Sequence, residues 1–174
     1  MAFKVIAFDC FGTVFDMSQV NRDEISAYVK ASRNKAGNDW NPLSLPEHWK
    51  TIPAHADSVE GIKLLRKDRI CVALTNGPVH LITEMSRNAG IDWDLIVPIE
   101  LWQVYKPQPR AYEMLLSLYP QYKPQDFCMV TANASFGDIE AATQLGMQSW
   151  LIRDEAGFTK DIIDLAHQIN AHPH

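Results

Sequence analysis

Phe3-Lys-Val-Ile-Ala-Phe-Asp9-Cys-Phe-Gly-Thr-Val-Phe-Asp16 is the stretch whose reading decides the fold. Lys4 to Phe8 is a short, mostly apolar run, the pattern of a parallel strand covered on both faces. The run ends in a carboxylate, Asp9, and Gly12 then breaks it, so the chain must turn. Open α/β sheets carry their chemistry at such a place: the C-terminal end of a central strand, beside a turn with free backbone N–H groups. Taken alone, Asp9 could equally be a mere acceptor for that turn. The segments further along the chain decide between the two.

Working outward, Ser58 to Lys67 reads as a helix capped by Ser58, and Ile70 to Leu74 as a strand ended by Thr75-Asn76-Gly77. Pro78 to Asn88 reads as a helix closed near Gly90, Asp94 to Ile99 as a strand, and Pro109 to Leu118 as a helix opened by proline. Phe127 to Thr131 is a strand, Gly137 to Leu145 a helix closed by Gly146, Ser149 to Ile152 a strand, and Phe158 to Ile169 a final amphipathic helix. This alternation predicts an α/β fold: a Rossmann-like parallel sheet with helices on both faces. One segment departs from it. Between Asp16 and Asp57, Val20, Ile25, Tyr28 and Val29 form a helical stripe, capped by Asn21 or Ser18 and stopped by Gly37, and a loop with Trp40, Pro42, Pro46 and Trp49 follows. The expectation is a single domain over 1–174, with its core in 1–16 and 57–174 and a small cap inserted at 17–56.

A chain of 174 residues, 47% hydrophobic and 21% charged, suffices for one ordinary globular core. The net charge of −5, with no basic cluster, argues against a nucleic-acid groove and against an anionic membrane surface. No apolar run is long enough for a signal peptide or a transmembrane helix. Cys10, Cys71 and Cys128 have neither disulfide nor zinc spacing, and read as buried thiols of a cytoplasmic protein.

Four polar clusters remain: Asp9 to Thr13, Thr75-Asn76-Gly77, Lys106, and Thr131 to Asp138. The strand ends of a parallel sheet share one edge, so three of these clusters converge there and the Lys106 loop can join them. Each has an ordinary reading as a turn or a solvated charge. Together they supply a carboxylate, an ammonium and neutral donors, a set suited to nucleophilic substitution by a carboxylate.

The clusters resemble the motifs of the haloacid dehalogenase superfamily, in its order, and the type II 2-haloacid dehalogenases most. Asp9-Cys-Phe-Gly-Thr13 resembles the first motif and Thr75-Asn76-Gly77 the second. Tyr105-Lys106-Pro-Gln-Pro-Arg-Ala-Tyr112 resembles the third, and Thr131-Ala-Asn133-Ala-Ser-Phe-Gly-Asp138 the fourth. The resemblance implies a Rossmann-like core with a helical cap, and a hydrolase with Asp9 as nucleophile. It implies Lys106 as the group that keeps Asp9 ionised, and Thr131, Asn133 and Asp138 as the groups that orient Lys106 and place a water. Thr13, Phe11, Thr75, Asn76 and Tyr112 would border or brace the substrate.

Phe11 separates the chemistries. Phosphatases of the superfamily carry an aspartate there to protonate a departing alcohol; phenylalanine has no proton to give, and a halide needs none. Asn133 replaces the carboxylate with which metal-dependent members hold magnesium. The expected reaction is therefore hydrolytic dehalogenation of a small 2-haloacid through an aspartyl ester, with no cofactor. Two rival readings stand beside it: a phosphatase with Mg2+ held by Asp9 and Asp138, and a non-catalytic binding protein using Trp40, Trp49 and Trp102. The cap is smaller than in the dehalogenases, whose cap arginine binds halide; Arg22 and Arg33 are the candidates here. The partner expected is a small-molecule substrate, with a homodimer left open.

Overall fold

The computed structural model describes residues 3–33 and 40–171. The chain alternates β1 (Val5–Phe8), α1 (Arg22–Arg33), a 3-10 turn (Glu47–Thr51), α2 (Ser58–Leu65), β2 (Ile70–Ala73), α3 (Val79–Ala89) and β3 (Leu95–Ile96). A second 3-10 turn (Ile99–Trp102), α4 (Pro109–Leu118), a third (Pro124–Asp126), β4 (Phe127–Thr131), α5 (Asp138–Gln144), β5 (Gln148–Leu151) and α6 (Ile162–Ala171) follow. The strands form one parallel sheet in the order β3-β2-β1-β4-β5. This is the predicted α/β, Rossmann-like architecture. β1 lies in the middle, so Asp9 leaves the sheet at its centre.

Strand alternation sorts the core into two layers. Ile6, Phe8, Cys71, Ala73, Cys128 and Val130 point to one face and pack with residues of α2, α3 and α6. Val5, Ala7, Val72, Phe127 and Met129 point to the other, against α4 and α5. Both faces of β1 are thus sealed, and the strand's open end is its C-terminus.

Local chemistry moves several boundaries. Asn21, rather than Ser18, caps α1: its Oδ1 accepts from the N–H groups of Asp23 and Glu24 at 2.8 and 3.4 Å. The stop predicted at Gly37 lies outside the described residues. Ser58 is not a cap, because its hydroxyl donates to the carbonyl of Val14 at 2.8 Å. β3 keeps two residues of the predicted six, pairing with β2 alone and running straight into Pro98. α6 begins at Ile162 rather than Phe158, with Asp161 Oδ1 accepting from the N–H of Asp164 at 2.8 Å. The loop that carries Lys106 follows the 3-10 turn Ile99–Trp102.

The described parts of segment 17–56 lie beside the C-terminal strand ends, with Met17, Ile25, Tyr28 and Val29 facing Asp9 across a cavity. α1 and the first 3-10 turn are tied at Glu24, whose Oε2 accepts from Trp49 Nε1 and from His48 Nε2, both at 3.0 Å. Trp49 is fully buried, edge-on to Phe11 at 5.3 Å and to Tyr28 at 5.9 Å between ring centres. Trp40 stacks on Tyr105 at 5.7 Å, and Trp102 is 37% exposed with Arg110 over its ring. Of the three tryptophans named for a partner surface, Trp49 is core.

Candidate active site

β1 delivers Asp9 to the sheet edge, and the turn after it shapes the floor. Gly12 turns with φ +87°, a conformation that costs a side-chain-bearing residue steric energy. That turn brings Thr13 back beneath Asp9. Thr13 Oγ1 donates to Asp9 Oδ2 at 2.8 Å and accepts from the N–H of Ala132 at 2.8 Å. The same hydroxyl thus ties the ends of β1 and β4 together.

Lys106 reaches in from the loop before α4 and is 1% exposed. Its Nζ lies 3.0 Å from Asp9 Oδ1 and 3.1 Å from Asp138 Oδ1, and donates to Asp138 Oδ2 at 3.2 Å. Tyr112, one helical turn into α4, donates its hydroxyl to Asp138 Oδ1. Asp138 is fully buried at the first position of α5, and Gly137 before it turns with φ +118° against the Pro107 ring. A Cβ at Gly137 would sit 2.9 Å from Pro107, so glycine lets Asp138 and Lys106 approach.

A buried ammonium between two carboxylates leaves one net negative charge. Burial pushes the Asp9 carboxyl above the ordinary carboxylate range, Lys106 opposes this, and the charge of Asp138 adds to it. Burial by itself would lower Lys106, but Asp138 and Asp9 hold it above the usual lysine value. Burial beside Asp138 also raises the Tyr112 phenol far out of the working pH range, so Tyr112 stays a donor.

The structure joins five predicted site residues directly: Asp9, Thr13, Lys106, Tyr112 and Asp138. Asn76 stands one step behind. Its Oδ1 accepts from the Lys106 N–H at 2.7 Å and its Nδ2 donates to the Lys106 carbonyl at 2.9 Å, so it grips the lysine's backbone. The Thr75 and Thr131 hydroxyls each accept a turn N–H, from Gly77 and Asn133, both at 3.1 Å. Asn133 Oδ1 accepts from Ser135, and Asn133 and Phe11 line a cavity.

That cavity, of about 140 Å³, opens above Asp9. Gly12, Asn133 and Phe136 form its sides with Phe11, and Met17, Ile25, Tyr28 and Val29 come from the cap segment. The cap residues went unrecognised as site residues in the sequence because a stripe of apolar and aromatic residues on a helix looks the same whether it faces core or cavity. Neither arginine candidate borders the cavity. Arg22 is exposed, and Arg33, also exposed, lies over the Phe136 ring at 5.6 Å.

A magnesium ion fits this donor set poorly. Among the described residues no three His, Cys, Asp or Glu side chains gather into a metal-ligating group. Asp138 accepts from Lys106 and Tyr112, and Asp9 from Lys106 and Thr13, leaving a hard cation short of free carboxylate oxygens.

Many solved structures share this architecture. An L-2-haloacid dehalogenase superposes with a TM-score of 0.74 at 21% identity, over 97% of this chain and 99% of that one. The L-2-haloacid dehalogenase from Xanthobacter autotrophicus with chloropropionic acid covalently bound gives 0.66 at 18% identity, over 98% and 83%. A HAD-hydrolase from Bacillus subtilis bound to magnesium gives 0.71 at 13% identity, over 98% and 100%. No protein-family model and no curated protein matches the chain. The chain therefore has the fold of the haloacid dehalogenase superfamily, as built in the 2-haloacid dehalogenases.

Proposed function

We propose that this protein hydrolyses a carbon–halogen bond of a small 2-haloacid, with Asp9 as nucleophile. The observation that carries this reading is an aspartate paired to a buried lysine at 3.0 Å on the floor of an apolar cavity. The side chain two residues on, Phe11, has no proton to donate.

In the first step an Asp9 oxygen attacks the 2-carbon in line, and the C–X electron pair leaves as halide. The new C–O bond makes an ester of Asp9. Water then adds to the carboxyl carbon of that ester, the acyl C–O bond breaks, and the 2-hydroxyacid leaves with a regenerated carboxylate. One proton is released with the halide. Lys106 offsets the charge of Asp9 before attack and of the tetrahedral oxyanion afterwards. Apolar walls keep the carboxylate poorly hydrated and so reactive.

A phosphate dianion would meet a net negative floor whose ammonium, Lys106, is already shared by two carboxylates, and no proton donor at Phe11, which favours attack at carbon. The reaction proceeds without a metal or organic cofactor. Three free, buried thiols suit a reducing, cytoplasmic setting, and no described helix is long and apolar enough to cross a membrane.

Two incubations test the proposal. The expected result is halide release from 2-chloropropionate, abolished in Asp9→Asn and indifferent to chelator. Magnesium-dependent phenolate release from p-nitrophenyl phosphate, without halide release, would replace it with the phosphatase reading.

A further inference from the structure

We propose that Tyr28 is a catalytic residue whose phenolic hydroxyl hydrogen-bonds the anion leaving carbon as Asp9 attacks. The inference rests on the displacement reading above and assigns a role to the cap.

The argument starts from in-line geometry. Asp9 lies on the floor of the cavity, so a leaving group departs on the far side of the carbon, toward the roof. The roof is the inner face of α1: Ile25, Tyr28 and Val29. Two of these side chains are hydrocarbon. Among the described residues, the Tyr28 hydroxyl is the roof's one side-chain donor, and no described group hydrogen-bonds to it.

The donors of the core side are placed differently. Lys106 is held between Asp9 and Asp138. Asn133 belongs to the loop after β4, beside Asp9, where its amide can meet the substrate carboxylate.

The Tyr28 ring is fixed for this task. It stands edge-on to Phe11 at 5.1 Å and to Trp49 at 5.9 Å, and Trp49 is anchored to Glu24 on the same helix. Burial, with the charges of Asp9 and Asp138, raises its phenol well above the ordinary tyrosine value. The proton therefore stays on the oxygen through the reaction. Tyr28 gives up no proton and gains none; the halide leaves with the C–X electron pair into a hydrogen bond that is already oriented. An anion parted from water in an apolar cavity needs such a donor, and removing one preorganised donor costs about ten- to a thousandfold in rate.

The test pairs a binding measurement with a kinetic one. Tyr28→Phe keeps the ring and its contacts with Phe11 and Trp49, so the fold is retained. In an Asp9→Asn background the neutral amide stands in for the ester-linked aspartate. Bromide titrated at constant ionic strength, followed by tryptophan fluorescence next to Trp49, should bind saturably. Its affinity should fall about tenfold or more in Asp9→Asn/Tyr28→Phe. Unchanged affinity, or no saturable binding in Asp9→Asn, overturns the inference.

In the Asp9 protein, Tyr28→Phe should lower kcat about ten- to a hundredfold for 2-chloropropionate and less for 2-bromopropionate, bromide being the weaker hydrogen-bond acceptor. An equal loss for both leaving groups counts against the role. Failure of the displacement reading looks different: no halide is released by the unaltered protein, while Asp9→Asn still binds bromide through Tyr28.

Discussion

At the scale of single residues, Lys106 decides whether Asp9 can act. It is a buried cation whose two partners are Asp9, the proposed nucleophile, and Asp138, and Lys106→Met would leave two carboxylates facing each other. A loss of about 3–5 kcal/mol in unfolding free energy is expected, with turnover abolished, as chemical denaturation and halide assay would show. The reacting form of Asp9 is ionised and burial raises its carboxyl, so the acid limb of the pH–rate profile should lie above the range of a surface carboxylate. Lys106, held above the usual lysine value, should keep that profile flat into the alkaline range. Linkage gives a companion result. A carboxyl whose folded pKa is raised above its unfolded one stabilises below the unfolded value and loses that contribution as pH rises through the folded one. At neutral pH Asp9 is thus a cost, and Asp9→Asn should melt no lower than the unaltered protein. Asp9 and Lys106 were legible in the sequence because both stand in motifs of fixed order. The grip of Asn76 on the Lys106 backbone was not, since a Thr-Asn-Gly turn does not say what its amide will meet.

At the scale of elements, the turn after β1 is held from behind. The carbonyls of Gly12, Thr13 and Val14 accept from His55 Nε2 at 3.0 Å, Arg153 Nε at 3.0 Å and Ser58 Oγ at 2.8 Å. Arg153, after β5, also makes a two-pronged pair with Asp57, 2.9 Å on each side, and Asp57 Oδ2 accepts from the N–H of Ile162. One ion pair therefore locks the β1 turn, the chain at Asp57 just before α2, and the start of α6. Although burial opposes it, hydrogen bonding from Arg153 and Ile162 lowers the Asp57 carboxyl. A lowered folded pKa stabilises above the unfolded value and is lost as pH falls through the folded one. Asp57→Asn should then cost about 2 kcal/mol at neutral pH, discounted for partial exposure, and the deficit should shrink below about pH 3.9. Thermal melts across pH measure this. The pair is 96 residues apart in sequence and has no motif, so nothing short of the fold could reveal it. By contrast β4 runs from Phe127 to Thr131 as read from the sequence, because a continuous apolar run between polar turns has one reading. β3, at the sheet's edge, had only its apolar pattern to declare it, and one neighbour supports just two residues.

At the scale of the whole molecule, segment 17–33 and the first 3-10 turn are joined to the β1 turn by aromatic packing beside Asp9. Trp49 touches both Phe11 on the cavity's side and Tyr28 on its roof. Trp49→Ala should cost about 3–5 kcal/mol and raise KM as well as lower kcat, because the lost volume admits water to the cavity. The α/β layering was readable from alternating strands and helices. Which face of α1 meets the cavity depended on how the cap folds back, a long-range matter that helical periodicity does not encode. The central claim is covalent: an Asp9 oxygen ends up on the product and water refills Asp9. A single turnover of 2-chloropropionate in heavy-oxygen water, followed by mass spectrometry of the Asp9 peptide, measures this directly. The expected result is one heavy oxygen in Asp9 and ordinary oxygen in the 2-hydroxyacid; heavy oxygen in the hydroxyacid with Asp9 unlabelled would contradict it.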